Sequence, residues 1–332
     1  MLTAQLDRTT ARAAVALANR APSVHNSQPW RWRIGPTTLH LFADPARALP
    51  ATDPDGRDLR ISCGAALNHL RVALLAAGWD TRVHRLPDPG LPLHLAAIEV
   101  RRAEPTAEQL ALARAIETRR SDRRLFSTWP VPPEFLADLV RAADAEGAQL
   151  TVLAGEAQRR AAAELIGHAA VEQALTPDLA QETAGWSGRA RDATEGVPAA
   201  NVPAGPDGVV PVRHFAGREM AQNELGRDES DGTVLTLLAT RGDGPVEQLR
   251  AGEALSAVLL TATRLSLATD PISQPLEVAS ARSELRSRCL DGEAEPQLLL
   301  RVGWAPISAS PVPETGRRPV DDTIDAMEEP WR

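Results

Sequence analysis

The chain has 332 residues, of which 43% are hydrophobic and 24% are charged, so it can fold around a sizeable core. Its formal net charge of −8 argues against nonspecific nucleic-acid binding, and its two cysteines exclude a disulfide framework and a cysteine-rich metal site. No apolar run reaches the roughly 18–20 residues of a membrane span, and the N-terminus lacks a signal-peptide pattern. We therefore expect a soluble, cytoplasmic protein, and no metal, because the seven histidines lack ligand spacing.

The first part of the chain mixes helical and extended patterns. Leu59, Cys63, Leu67, Leu70 and Leu74 recur at helical spacing, which places Cys63 in a core rather than in a reactive site. The predicted elements, in order, are a helix over 3–20 that ends before Pro22, strands over 30–34 and 39–42, a helix from about 59 that Gly78 closes, a strand near 93–100 and a helix over 106–118.

The rest of the chain continues the mixture, which predicts an α/β or α+β class. Residues 184–213 are the least periodic stretch and suggest a loop, a lid or disorder. The other predicted elements are an arginine-rich turn at 119–124, helices at 132–146, 156–174, 245–268 and 276–288, and strands at 148–154, 233–240 and 296–303.

One sequence pattern occurs twice. The letters D-G-x7-G-x-A-L appear at 55–67 and again at 243–255, each time at the start of a predicted long helix that a strand follows. An accidental match in an Ala- and Leu-rich chain is the alternative to a duplication. A duplication predicts two homologous halves that meet near residue 105 in one pseudo-twofold body.

Two short segments carry the residue types of a binding site. The segment A-P-S-V-H-N-S-Q-P-W at 21–30 predicts a rigid turn with hydroxyl, amide and backbone groups facing outward, or simply a capped turn. The segment R-R-S-D-R-R-L-F at 119–126 offers guanidinium groups and a hydroxyl for a phosphate, although a solvated charge run at a helix C-terminus would look the same.

These two segments resemble the P-S-x-x-N-x-Q-P-W and R-R-S-x-R motifs of the FMN-dependent nitroreductase superfamily. In ordinary members the arginine motif comes first, and each flavin lies between two subunits. Here the order is reversed, which is similar to the fused, duplicated Acg family of actinobacteria. The resemblance implies an α+β, nitroreductase-like fold with halves at 1–105 and 106–332, a lid or loop at about 184–216, and a monomer that mimics the family's homodimer.

The resemblance also implies one complete FMN site between the halves. The arginine motif and a C-terminal arginine would hold the phosphate and ribityl chain, the Pro-Ser-x-x-Asn segment would approach the ring edge, and backbone amides after a helix would face N5. The implied cofactor-binding residues are Arg119, Arg120, Ser121, Arg123, Pro22, Ser23, Asn26, Gln28, Ser273, Gln274 and Arg317.

The implied activity is that of an oxidoreductase which passes hydride from NAD(P)H through flavin N5 to a nitroaromatic or a quinone. No catalytic side chain is required, and His25 is more consistent with structural hydrogen bonding than with proton donation. The competing hypothesis is a flavin-binding or flavin-sequestering protein with little turnover, in which Trp186 or Phe215 plugs the pocket. A Rossmann enzyme and a serine hydrolase are disfavoured because G-x-G-x-x-G and G-x-S-x-G are missing.

Overall fold

The computed structural model describes residues 5–35, 37–205, 208, 210–211, 213–222, 231–307 and 309–325. Its helices are α1 (Arg8–Ala18), α2 (Arg57–Ala76), α3 (Ala107–Thr118), α4 (Pro133–Ala145), α5 (Glu156–Leu175), α6 (Pro177–Gly185), α7 (Pro245–Arg264) and α8 (Ala279–Cys289). Its strands are β1 (Trp30–Ile34), β2 (Thr38–Ala43), β3 (Trp79–Arg85), β4 (His94–Arg102), β5 (Gln149–Val152), β6 (Ser187–Arg189), β7 (Val197–Pro198), β8 (Val234–Thr240), β9 (Ala268–Ile272) and β10 (Glu295–Gly303).

The same topology is built twice along the chain. In each case two strands precede a long helix and two strands follow it, and the four strands form an antiparallel sheet. The strand orders are β1-β2-β4-β3 and β5-β8-β10-β9, which are the same order in chain sequence. The fold is therefore α+β with two tandem halves, and the predicted boundary near 105 falls between β4 and α3.

The two halves meet along their long helices. Gly64 of α2 and Gly252 of α7, the shared glycines of the repeated pattern, face each other at the crossing, because a Cβ on Gly64 would lie 2.9 Å from the Cα of Gly252. A Cβ on Gly252 would lie 1.9 Å from the carbonyl oxygen of Ile61, so only glycine allows this approach. Each helix also packs against its own sheet, which is why most of its faces are buried.

A C-terminal segment, residues 309–325, returns to the first half. The backbone N–H of Trp32 donates to the carbonyl of Thr323 at 2.7 Å, and Asp325 donates back to Trp32 at 2.9 Å, so this segment pairs with the outer edge of β1. Asn19 joins the same contact, since its side-chain amide donates to Thr323 while its oxygen accepts from Trp30 and Trp32. Sequence from the second half thereby completes the first sheet.

Several predicted boundaries were wrong. Residues 3 and 4 of the first predicted helix lie outside the described residues, and residues 5–7 are not helical. The helix begins at Arg8, because Asp7 accepts a hydrogen bond from the Thr10 N–H and caps it. The predicted helix over 245–268 ends at Arg264, where Ser266 takes a positive φ of 62°, and the final helix spans Ala279–Cys289 instead of 276–288. Strands β3 and β9 were not predicted.

The aperiodic stretch contains more regular structure than expected. Helix α6 reaches Gly185, and β6 and β7 form a two-stranded parallel pair inside the predicted lid. Residues 206–207, 209 and 212 of that stretch lie outside the described residues. Across the part of the chain that is described, no helix is both long enough and apolar enough to cross a membrane.

Candidate cofactor site between the halves

The two motif segments face each other across one cleft. An outer and an inner cavity share five lining residues and are therefore parts of one space. The shared residues are Pro22, Ser23, His25, Ser121 and Arg123. The first half contributes the loop between α1 and β1, and the segment between α3 and α4 contributes the arginine motif.

The outer cavity concentrates positive charge. Among its lining residues, five arginines face a single carboxylate, that of Glu314. The Glu314 carboxylate lies 2.8 Å from the Arg20 guanidinium and 3.5 Å from the Arg120 guanidinium, so it forms ion pairs with these two arginines at the edge of the cluster. The five arginines are Arg20, Arg119, Arg120, Arg123 and Arg317.

Arg119 is the most confined member of this cluster. Its side chain lies in a residue that is only 5% exposed, and neither its Nε nor its Nη1 has a hydrogen-bond partner among the described residues. Burial, together with the nearby charges of Arg317 and Arg120, lowers the pKa of Arg119 to about 9. A guanidinium in such surroundings is complementary to a buried anion.

Arg317 reaches the cavity from the C-terminal segment. Its Nη atoms donate to backbone carbonyls, including those of Arg20 and Thr315, while its Nε has no partner within the described part of the chain. Burial, with the charges of Arg20 and Arg120, lowers the pKa of Arg317 to about 10. The backbone bonds fix the guanidinium, and its Nε remains available to a ligand.

The loop from the first half is held in a strained conformation. His25, Asn26 and Gln28 all have positive φ, at 52°, 54° and 51°, a region that non-glycine residues rarely occupy. The Asn26 amide donates to the carbonyls of Gly196 and Gly316, which leaves its buried Oδ1 without a partner in the described residues. Such strain persists where neighbouring contacts impose it, and it is concentrated at binding sites.

Gln28 lies beside the cleft and does not line it. Its amide donates to the carbonyls of Asn26 and Thr194, and its oxygen accepts from the Arg318 backbone N–H at 2.9 Å. The Gln28 side chain therefore ties the loop to the lid and to the C-terminal segment. The structure brings the other ten predicted site residues to the lining of the cleft.

The inner cavity is more apolar and includes the other predicted residues. Ile61, Leu255 and Leu298 form part of its wall. Ser273 and Gln274 follow β9 there, but their side chains are already engaged, since the Ser273 hydroxyl donates to Glu277 at 2.7 Å and the Gln274 amide donates to Gln173 at 3.0 Å. Their backbone carbonyls accept hydrogen bonds from the Leu276 and Glu277 N–H groups, so the backbone N–H groups of Ser273 and Gln274 are the ones considered for a ligand.

Lid residues enter the same cavity. Arg213 donates to His25 Nε2 at 3.2 Å and forms an ion pair with Glu277, while the Phe215 ring lies edge-on to the His25 ring. The Arg123 guanidinium lies 5.1 Å from the centre of the Phe215 ring. Trp186 is not among the lining residues and packs against Arg47 instead. Phe215, rather than Trp186, is therefore the aromatic residue of the predicted lid that lines the cavity.

His25 has the electrostatics of a structural residue. Burial, reinforced by the charges of Arg213 and Arg123, holds the pKa of His25 well below its ordinary value. The ring is neutral at physiological pH, so it accepts a hydrogen bond from Arg213 and is a poor proton donor.

Sequence reasoning missed several lining residues, notably Asp58, Asn201, Arg213 and Asp270. Arg20 could have been found, because it directly precedes the first motif. The others come from a helix start, a strand and the aperiodic lid, where no local pattern marks them. Cys63 is buried as predicted, and burial raises the pKa of its thiol.

No family model matches the sequence. Two curated proteins of Mycobacterium tuberculosis strain H37Rv align over nearly the whole chain. "Putative NAD(P)H nitroreductase Rv3131" is 43% identical over 97% of this chain and 93% of its own length, and "Putative NAD(P)H nitroreductase acg" is 38% identical over 94% of each. The chain belongs to the nitroreductase family.

Solved nitroreductases share less with the chain. One is the FMN-dependent nitroreductase NfnB from Mycobacterium smegmatis, in complex with NADPH. It is 16% identical, the alignment covers 66% of this chain and 98% of the NfnB chain, and the TM-score is 0.42. A nitroreductase with bound FMN from Bacteroides fragilis aligns at 15% identity over 65% of this chain and 98% of its own, with a TM-score of 0.40. A likeness of this strength assigns neither a ligand nor an activity to this member of the family.

Proposed function

We propose that this nitroreductase is an FMN-dependent NAD(P)H oxidoreductase of the nitroreductase or quinone-reductase type, with one composite site between its halves. The observation that carries the proposal is the outer cavity, in which five arginines face one carboxylate. Buried positive charge without partners requires an anion, and a phosphate ester offers two charges and several acceptor oxygens. The names of the two curated relatives support NAD(P)H as the reductant.

The residues present fit FMN. The orphaned Nε and Nη1 atoms of Arg119 and the Nε of Arg317 supply donors for a phosphate, and the orphaned Asn26 Oδ1 supplies an acceptor for a ring N–H. In this proposal the phosphate and ribityl chain are held by Arg119, Arg120, Ser121, Arg123 and Arg317. In the same proposal, Pro22, Ser23 and Asn26 of the first half contact the edge of the flavin ring. Backbone groups of Ser273 and Gln274 contact the ring from the second half. Gln28 positions the loop.

A bound flavin supplies hydride transfer in two half-reactions, from NAD(P)H and then to an electron-poor acceptor. The chain's own contribution is position and environment. Ile61, Leu255 and Leu298 exclude water from the inner cavity, and Arg123 and Arg213 place positive charge beside it. Positive charge fixed there before reaction would stabilise negative charge that develops on a ligand in the cavity, without reorganisation of the protein.

The visible absorption spectrum of protein purified without added flavin tests this proposal. We expect a flavin band that NAD(P)H bleaches under anaerobic conditions and that a quinone restores. A colourless protein that also rejects added FMN would contradict the proposal. Heat-released chromophore, separated by chromatography, identifies FMN against riboflavin and FAD.

A flavin-sequestering protein with little turnover is the second candidate function. The observation that favours it is the lid, because Arg213 and Phe215 already line the inner cavity. The same spectrum distinguishes the two candidates: a bound flavin that neither NADH nor NADPH bleaches within minutes supports sequestration. Rapid bleaching followed by reoxidation excludes it.

A further inference from the structure

Two arginines at the edge of the outer cavity, Arg20 and Arg120, share a hydrogen-bond acceptor. The Arg20 Nη2 atom and the Arg120 Nη1 atom both donate to the carbonyl of Glu117, at 3.0 and 2.8 Å. This carbonyl belongs to the last turn of α3, where the helix dipole favours positive charge. The shared acceptor holds the two guanidinium groups side by side as an edge pair. Arg20 precedes the first motif and is part of neither motif.

The carboxylate of Glu314 bridges the edge pair. Its Oε1 atom lies 2.8 Å from Arg20 Nη2, and its Oε2 atom lies 3.5 Å from Arg120 Nη2. Two guanidinium groups around one oxyanion form the arrangement in which arginines also bind phosphate. The Glu314 side chain is 56% exposed, and an ion pair that is so open to solvent contributes little free energy. A ligand with more negative charge can therefore displace this carboxylate.

Glu314 neutralises only part of the positive charge at this edge. The Arg20 side chain is 27% exposed, and it lines the outer cavity together with Arg120 and Glu314. Burial lowers the pKa of Arg120; the Glu314 carboxylate opposes this change, and the charge of Arg20 adds to it. A phosphate monoester brings nearly two negative charges where the carboxylate brings one, so phosphate is the stronger partner for the edge pair.

We propose that Arg20 is a further phosphate-binding residue of the outer cavity, and that Glu314 is an internal competitor which the ligand's phosphate displaces from Arg20 and Arg120. The inference rests on the proposed function and deepens it, because the phosphate is that of FMN. Arg20 belongs to the first half, Arg120 to the arginine motif of the second half, and Glu314 to the C-terminal segment. Three separate parts of the chain thus determine the affinity for the phosphate.

A comparison of FMN with riboflavin, which lacks only the phosphate, provides the first test. In fluorescence titrations of apoprotein, Arg20→Gln should bind FMN about tenfold more weakly, because a hydrogen bond to a charged group is lost. Glu314→Gln should bind FMN roughly three- to tenfold more tightly, because a competing negative charge is removed. Both variants should bind riboflavin within about twofold of the parent protein. An equal loss for the two flavins in Arg20→Gln, or an unchanged FMN affinity, overturns the inference.

The double variant Arg20→Gln/Glu314→Gln tests whether the two side chains act on each other. In the Arg20→Gln background, Glu314→Gln should improve FMN binding by no more than about twofold, through its longer contact with Arg120. The full improvement in that background would overturn the competition for Arg20. Arg12→Gln and Asp321→Asn are the matched controls and should behave like the parent protein. Arg12 of α1 and Asp321 of the C-terminal segment form an ion pair at 2.6 Å, and neither is among the residues that line the two cavities.

Inorganic phosphate tests the same competition without flavin. At constant ionic strength, added phosphate should raise the melting temperature of the parent apoprotein, because it binds the folded state. The rise should be larger in Glu314→Gln and smaller in Arg20→Gln. Equal stabilisation of the three proteins would overturn the inference. A protein that rejects FMN but keeps this order with phosphate would overturn the proposed function and leave the roles of Arg20 and Glu314 in place.

Discussion

Arg119 carries a free-energy cost in the absence of a ligand. The protein desolvates this guanidinium and surrounds it with other arginines, which disfavours the charged form and lowers its pKa. A binding site of this kind lowers the stability of the ligand-free protein and raises its affinity for an anion. The two properties should therefore respond to substitution in opposite directions.

Arg119→Gln tests this expectation. The variant should bind FMN about 10- to 100-fold more weakly, since a hydrogen bond to a charged group contributes about 1.5–3 kcal/mol. Removal of the buried charge should at the same time raise the melting temperature of the apoprotein by about 2 °C. Fluorescence titration with FMN and calorimetry of apoprotein measure the two effects.

Arg114→Gln is the matched control, because Arg114 is exposed on α3, five residues before Arg119. It should change neither the affinity for FMN nor the melting temperature. Unaltered flavin affinity in Arg119→Gln would show that the phosphate lies elsewhere.

At the residue scale, the sequence predicted contacts that local motifs encode. Ser121 and Asn26 sit in short segments whose residue types suit a phosphate and an amide-rich ring, and both line the cleft. Asp58 and Arg213 could not be predicted in the same way, because their place in the lining of the inner cavity depends on neighbours far away in the chain. An aspartate at the start of a helix is ordinarily a cap.

The crossing of α2 and α7 is the central element contact. Its two glycines allow the backbones to approach, and any side chain there would overlap a carbonyl of the opposite helix. The repeated pattern predicted that these glycines are equivalent positions, but it could not predict that they touch. The pseudo-twofold axis passes between the halves, so equivalent residues meet across it.

Gly64→Ala and Gly252→Ala should each destabilise the protein by about 3 kcal/mol or more, because a Cβ would lie 2.0 Å from the Leu249 oxygen or 1.9 Å from the Ile61 oxygen. Urea denaturation followed by circular dichroism measures the change. Gly185→Ala is the control: it lies at the exposed end of α6 with nothing within 4 Å, and should be neutral or slightly stabilising. Equal effects at the three sites would contradict tight packing at the crossing.

The missed strands show why element boundaries are hard to predict. Strand β9 continues directly from the long apolar run of α7, and only the backbone reversal at Ser266 separates them. Ser266 and Gly78 hold the same place after their helices, and both have positive φ. Gly78 was recognised as a stop because glycine favours this conformation, whereas a serine gives no such signal.

At the scale of the whole molecule, the halves have the same topology but different interiors. Arg85 is the last residue of β3, and Ser273 comes directly after β9 at the corresponding place in the other half. Glu146 follows α4, as the motif loop follows α1. Around Arg85 lies an ion-pair network: Glu253, fully buried, pairs with Arg85 at 2.7 Å and with Arg71 at 2.9 Å. Arg71 also reaches Glu146 at 2.6 Å. The place related by pseudosymmetry to the candidate cofactor site thus holds an ion-pair network with two carboxylates, Glu146 and Glu253, where the outer cavity has its arginine cluster.

This asymmetry predicts one FMN per chain. Equilibrium dialysis against FMN should saturate at a ratio of about one. In the proposed composite site both sides come from one chain, so sedimentation equilibrium should give the mass of a single chain. A ratio of two, or a dimer that binds flavin only when associated, would contradict the composite site.

The C-terminal segment has a consequence for biosynthesis. Asn19 and Thr323, which bond to each other, are separated by 304 positions, and at roughly 5–20 residues per second a ribosome needs about 15–60 s to make the chain between them. During that time the outer edge of β1 has no neighbour, and the arginine at 317 does not yet exist. An exposed strand edge invites wrong pairing, so the first half is open to misfolding in this interval. The proposed FMN site is complete only when translation has ended, so binding of FMN there would follow translation and could not guide it.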